Sequence, residues 1–200
     1  MKLLFLFVLS LLCTSCVGGL TYQYTNIPST SVYCKRIPIY IDINFSNANK
    51  LYIDNAINAW NYVLNGYIKL DVVSYSFDME PSELKSIFDN NGVMILQIDS
   101  DSNFLPPSKI EGNAIDGITD RVGGNTIYLI RDRLSDKIEQ ITLHELGHIL
   151  GALDMEGDTV MNGTLSPKYS KCIDERAMEA VAAFQHLDPN KLNYCRYFSA

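Results

Sequence analysis

Histidine is scarce in this chain: three stand among 200 residues, so a histidine-based site has few positions to draw on. Basic residues are few as well. Lys and Arg number 16 against 23 Asp and Glu, which leaves a net charge of −7. That balance speaks against nucleic acid as a partner, because phosphates repel an acidic surface. No apolar run reaches the length of a membrane-spanning helix, about 18 residues or more. Cys34, Cys172 and Cys195 do not stand at metal-ligand spacing from one another, so a cysteine zinc site is not expected. The Asp-rich stretch 99–120 lacks the spacing of an EF-hand loop. There is no internal repeat and no linker long enough to separate two domains. What is present is ordinary for a globular chain: 47% apolar and 20% charged residues, enough for one domain with its own core.

The N-terminus has a different character. Met1-Lys2 is followed by uncharged Leu3 to Leu12 and then by small residues, the pattern of a secretory signal peptide over 1–15. Cys13-Thr14-Ser15-Cys16 resembles a bacterial lipoprotein box, with Cys13 where that motif prefers Leu. The resemblance implies that Cys16 becomes a lipidated mature N-terminus and anchors the chain to a membrane. The alternative is plain secretion with cleavage nearby. Residues 16–35, rich in Gly, Thr, Ser and Tyr, read as a tether, and 36–200 as the functional domain. In an oxidising compartment, one disulfide and one free thiol among Cys34, Cys172 and Cys195 is the simplest arrangement.

Periodicity supplies the elements. Ile37, Ile39, Ile41 and Ile43 alternate as a strand, with Pro38 suited to its start or to a sheet edge. A helix capped by Asn47 or Asn49 carries Ile53, Ile57, Trp60 and Leu64 on one face and stops at Gly66. Ile68, Leu70 and Val72 alternate again. A short helix over 81–90, a buried strand over 93–98, a short strand around 114–118 and another strand over 126–130 follow. Asp136 and Glu139 form a capping box that opens a helix apolar on nearly every side, and a last helix runs from about Ile173 to His186.

Inside the buried helix stands His144-Glu145-Leu146-Gly147-His148. Residues four apart on a helix differ by about 400°, so both imidazoles leave the same face one turn apart. Two such histidines suit one zinc ion, and Glu145 is placed to reach a metal-activated water. Burying three such groups without partners costs several kcal/mol, which a metal removes. Asp154 lies on the wrong side if the helix continues past His148. Gly151 permits a left-handed backbone that ends the helix and turns the chain back toward the metal. Asp154 can then come to the metal, and a carboxylate is an acceptable third zinc ligand. His186 reads as structural or surface, with Glu156 and Asp158 as the other side chains to test.

With Val160-Met161-Asn162 added, the chain resembles the metzincin zinc endopeptidases, whose extended motif precedes a methionine-bearing turn beneath the metal. The order of elements over Ile37 to Leu187 looks like a matrixin catalytic domain, and an Asp third ligand is similar to the snapalysin-like members. The matrixin cysteine-switch motif is absent, and Tyr169 is the one candidate for the family's tyrosine after the turn. The resemblance implies an α+β, metzincin-like fold. Its parts would be a twisted, mostly parallel sheet of four to five strands, a buried active-site helix and a C-terminal helix. It also implies Zn2+ as cofactor, Met161 in the Met-turn and Glu145 as general base. The expected activity is endopeptidase cleavage of a protein or peptide substrate by a monomer, with the peptide added as a strand beside residues 112–119. A catalytically inactive surface-binding lipoprotein on the same scaffold is the alternative.

Overall fold

The structure is a computed structural model and describes residues 35–75, 81–100, 116–131, 137–164 and 172–194. The chain alternates strands and helices: β1 (Lys35–Asp42), α1 (Asn47–Val63), β2 (Ile68–Tyr75), α2 (Pro81–Asp89), β3 (Val93–Ile98), β4 (Gly117–Thr119), β5 (Thr126–Ile130), α3 (Ile138–Leu150) and α4 (Glu175–Gln185). The strands form one five-stranded sheet in the order β2-β1-β3-β5-β4. The β1–β2, β1–β3 and β3–β5 pairs are parallel, and β4 runs antiparallel to β5 at one edge. Parallel neighbours need a crossover, and α1 and α2 supply the first two.

Pro38 shows how the sheet accommodates a residue without an amide hydrogen. It stands opposite Asp71 of β2, while β3 joins β1 only from Ile39 onward. At Pro38 the strand therefore has a neighbour on one side only, where a missing donor is tolerated.

The main core lies between the sheet and the helices α1, α3 and α4. Ile37, Ile39 and Ile41 of β1 meet Ile53, Ile57 and Trp60 of α1, all 5% exposed or less. The Trp60 indole is fully buried and donates from Nε1 to the Leu143 carbonyl at 2.9 Å, which joins α1 to α3. Ser46 caps α1, with its hydroxyl accepting from the Asn49 amide at 3.1 Å. The cap thus falls one residue before Asn47, because the backbone is extended at Ser46 (ψ of 156°) and already helical from Asn47. The helix stops as Asn65 and Gly66 take left-handed φ of 47° and 82°.

Helix α3 runs through the middle of the core. Ile138, Ile141, Leu143, Leu146, Ile149 and Leu150 are all buried. Its N-cap position is Lys137, which makes no side-chain cap bond, and Asp136 lies outside the described residues. Burial of the apolar side chains holds this helix, more than its cap. Gly151, with φ of 110°, ends it, and the Ala152 amide closes back on the Gly147 carbonyl at 2.9 Å. Cys172 is disulfide-bonded, and the other cysteines lie outside the described residues. No helix of the described residues is long and apolar enough to cross a membrane.

Candidate metal centre

The helical repeat places His144 and His148 on one face of α3. Their Nε2 atoms are 3.0 Å apart and the rings meet edge to face. After the turn at Gly151 the chain folds back and brings Asp154 to the same point. Its Oδ1 lies 3.2 Å from His144 Nε2 and 3.5 Å from His148 Nε2. Gly163 lets the returning chain pass close, since a Cβ there would stand 3.3 Å from Asp154 Oδ1. Among the described residues, His144, His148 and Asp154 form the one group of three side chains able to hold a metal ion.

Backbone carbonyls set the imidazole tautomers. His144 Nδ1 lies 3.0 Å from the Val160 carbonyl, and His148 Nδ1 lies 2.8 Å from the Ala152 carbonyl. A carbonyl only accepts, so each Nδ1 carries the proton and donates. In the neutral rings both Nε2 lone pairs then face each other and a carboxylate oxygen, an arrangement a cation relieves. Zinc holds such donors at about 2.1 Å in a tetrahedron, which spaces them about 3.4 Å apart. The spacings of 3.0, 3.2 and 3.5 Å match that set. The residues present therefore fit a zinc ion.

The site is walled on one side and open on the other. The histidine side chains are 12% and 13% exposed, whereas Asp154 is 67% exposed. The Asp154 side is therefore the one open to solvent. Glu145, one residue round the helix from His144, is 6% exposed and turns toward β4. There the Thr119 hydroxyl donates to its Oε2 at 2.7 Å.

The floor comes from the turn at 159–162. Met161 is fully buried, and a Cβ added to Gly147 would lie 2.3 Å from its Sδ. The methionine thus packs beneath the helix turn that carries both histidines. The Met161 carbonyl accepts from the Met155 amide at 2.8 Å, tying this turn to the segment that bears Asp154. Asp174, the N-cap of α4, accepts from the Ala177 amide at 3.1 Å and from the Val160 amide at 2.8 Å. Phe184 of α4 closes over Gly151 and Gly123, where any Cβ would stand 2.0 Å and 2.7 Å from its ring.

The residues singled out in the sequence divide accordingly. His144, Glu145, His148, Asp154 and Met161 come together. His186 sits apart as the left-handed C-cap of α4, with φ of 56°. Glu156 and Asp158 do not join the ligand group. Cys16 and Tyr169 lie outside the described residues. Thr119 and Asp174 carry no motif and were not expected. Asp174 precedes a helical run and so signals a cap, but nothing local points to its bond with Val160.

The fold these features define is a five-stranded, mostly parallel sheet over a buried histidine-bearing helix. Among solved structures the chain is similar to metalloproteinase-II from Bacteroides fragilis, with a TM-score of 0.51 and 14% sequence identity. The match covers 85% of this chain and 60% of that one, so the chain spans only part of that protein's length. Neither a protein-family model nor a curated protein sequence matches this chain. The likeness in fold agrees with the metzincin-like architecture expected from the motif.

Proposed function

We propose that the chain is a zinc-dependent endopeptidase acting outside the cytoplasm, as a monomer, on a protein or peptide substrate. One observation carries this reading. Two imidazole nitrogens and a carboxylate oxygen converge at 3.0–3.5 Å, while the residue after the first histidine offers a second, buried carboxylate. His144, His148 and Asp154 would hold the ion. Bound there, zinc supplies a Lewis acid for the scissile carbonyl and lowers the pKa of water toward about 7. Glu145 takes the proton from water and delivers it to the leaving amine. Substrate lies along β4, the edge strand nearest Glu145, and adds a strand through backbone hydrogen bonds. A scaffold that only binds has no use for a carboxylate held in this position, which favours the peptidase over the inactive alternative.

Metal analysis of the purified chain, combined with cleavage of a quenched-fluorescence peptide library, tests the proposal. Glu145→Gln is expected to keep zinc and lose turnover by about 10²- to 10⁴-fold, the usual contribution of a general base. Wild-type turnover in that variant, or a wild-type chain that takes up no zinc, overturns it. The cellular placement is a separate proposal. Lipidated Cys16 would hold the protein on the envelope, and Cys16→Ser would release it from the membrane fraction or block maturation. A wild-type chain free in the medium with another N-terminus favours simple secretion.

A further inference from the structure

We propose that Thr119 is a positioning residue for Glu145 and that it ties the general base to the strand on which substrate is laid. The inference rests on the peptidase reading above and assigns a role to a residue outside the zinc motif. The Thr119 hydroxyl has one proton. Its nearer acceptor is Glu145 Oε2 at 2.7 Å, with the Glu145 backbone carbonyl at 3.2 Å. The hydroxyl is thus committed to one carboxylate oxygen, which leaves Oε1 as the oxygen available for proton transfer.

Three features make this contact a built one. A carboxylate torsion is broad and nearly two-fold, so without a partner it does not choose an orientation. Threonine is β-branched and stiff at χ1, so its hydroxyl is a fixed donor. Strand β4 also rides close on α3: a Cβ at Gly117 would lie 2.4 Å from Ile141 Cγ2 and 3.3 Å from Glu145 Cγ. Only glycine there lets the strand come near enough for Thr119 to reach the base.

The backbone of the same residue faces the other way. The Asp116 carbonyl accepts from the Ile130 amide and the Asp120 amide donates to the Thr126 carbonyl, both toward β5. Ile118 stands opposite Tyr128 in the same register. In an antiparallel pair these orientations alternate, so the amides and carbonyls of Gly117 and Thr119 point to the outer edge of the sheet. An added substrate strand pairs there. Thr119 therefore meets substrate with its backbone and the base with its side chain.

The test compares zinc-loaded wild type, Thr119→Val and Thr119→Ser on a cleaved peptide. Thr119→Val keeps the branched shape and loses the proton. Its kcat is expected to fall by about 10- to 100-fold, the scale set by a misplaced reacting group. Zinc content should stay unchanged and KM should move by less than about threefold, because the pairing backbone remains. Thr119→Ser should restore most of kcat. A wild-type kcat in Thr119→Val, or an equal loss in Thr119→Ser, overturns the proposal. A second readout needs no activity. Thermal unfolding of the metal-free chain is measured for Thr119→Val, Glu145→Ala and the double variant. Losses that fall short of additivity by about 2–4 °C support the contact, and additive losses overturn it. If wild type cleaves no peptide, the peptidase reading fails, while this cycle still decides the Thr119–Glu145 pair.

Discussion

The Asp174 carboxylate receives the Val160 amide at 2.8 Å, and through that bond helix α4 grips the turn whose carbonyl orients His144. Asp174 is 7% exposed and its other oxygen caps α4. Both oxygens are thus engaged, one on each element.

Asp174→Asn keeps the shape and leaves one acceptor for two amides. One buried N–H then goes unpaired, at a cost of about 1–3 kcal/mol. The melting temperature should fall by several degrees. Zinc affinity should drop by about 3- to 10-fold, less than for a direct partner of a ligand because the effect passes through Val160. Competition with a chelator measures it, and unchanged affinity in a destabilised variant would confine Asp174 to capping.

The Asp154 series tests the third ligand. Because this side chain is 67% exposed, Asp154→Asn should leave the fold intact while zinc binding weakens through loss of charge. Asp154→Ala should weaken it further and nearly abolish cleavage, since two histidines alone hold the metal poorly. Asp154→His should retain zinc. Wild-type affinity in Asp154→Ala would send the search to Glu156, Asp158 and His186.

Gly147→Ala reverses the ordinary helix rule. Replacing glycine by alanine in a helix interior normally stabilises by about 1 kcal/mol. Here the new Cβ would stand 2.3 Å from Met161 Sδ and 3.3 Å from Trp60 Cζ2, both on fully buried side chains. Overpacking of that kind costs about 1–3 kcal/mol, so the variant should be less stable than wild type. Urea unfolding reads the sign directly, and a stabilised variant would mean that Met161 repacks freely.

Tyr75 gives the chain an alkaline limit. Burial first, then the Asp42 carboxylate and Tyr128, pushes its phenol above the ordinary tyrosine range. The unfolded chain gives up that proton near pH ~10 while the folded chain keeps it. The folded state then binds more protons, so stability is full below that pH and is lost as pH rises above it. Urea midpoints measured from pH ~9 to ~11 should fall for wild type and fall less for Tyr75→Phe. Equal slopes would remove Tyr75 from the account.

Much of the centre could be read along the chain because its geometry is local. His144, Glu145 and His148 lie within two turns of one helix, and a repeat of about 100° per residue decides which face each takes. Gly151 follows at the position where a left-handed residue is needed, and its φ of 110° is the value such a stop requires. The alternation of Ile37, Ile39 and Ile41 and the stripe of Ile53, Ile57 and Trp60 likewise marked a strand and a helix that bury those faces. Caps were read less well. Several short polar residues precede α1, and only the backbone path selects Ser46 among them.

Tertiary structure decided the partners of those residues. Thr119 and Glu145 are 26 positions apart, and Val160 and Asp174 are 14 apart. No periodicity links such positions. They meet because β4 turns antiparallel at the sheet edge and lies on α3 through Gly117, and because α4 packs back against the same helix. Local sequence set the two histidines on their helix. The orientation of each imidazole and of the Glu145 carboxylate depends on hydrogen bonds from distant backbone and side chains, and these exist only once the sheet order and helix packing have formed.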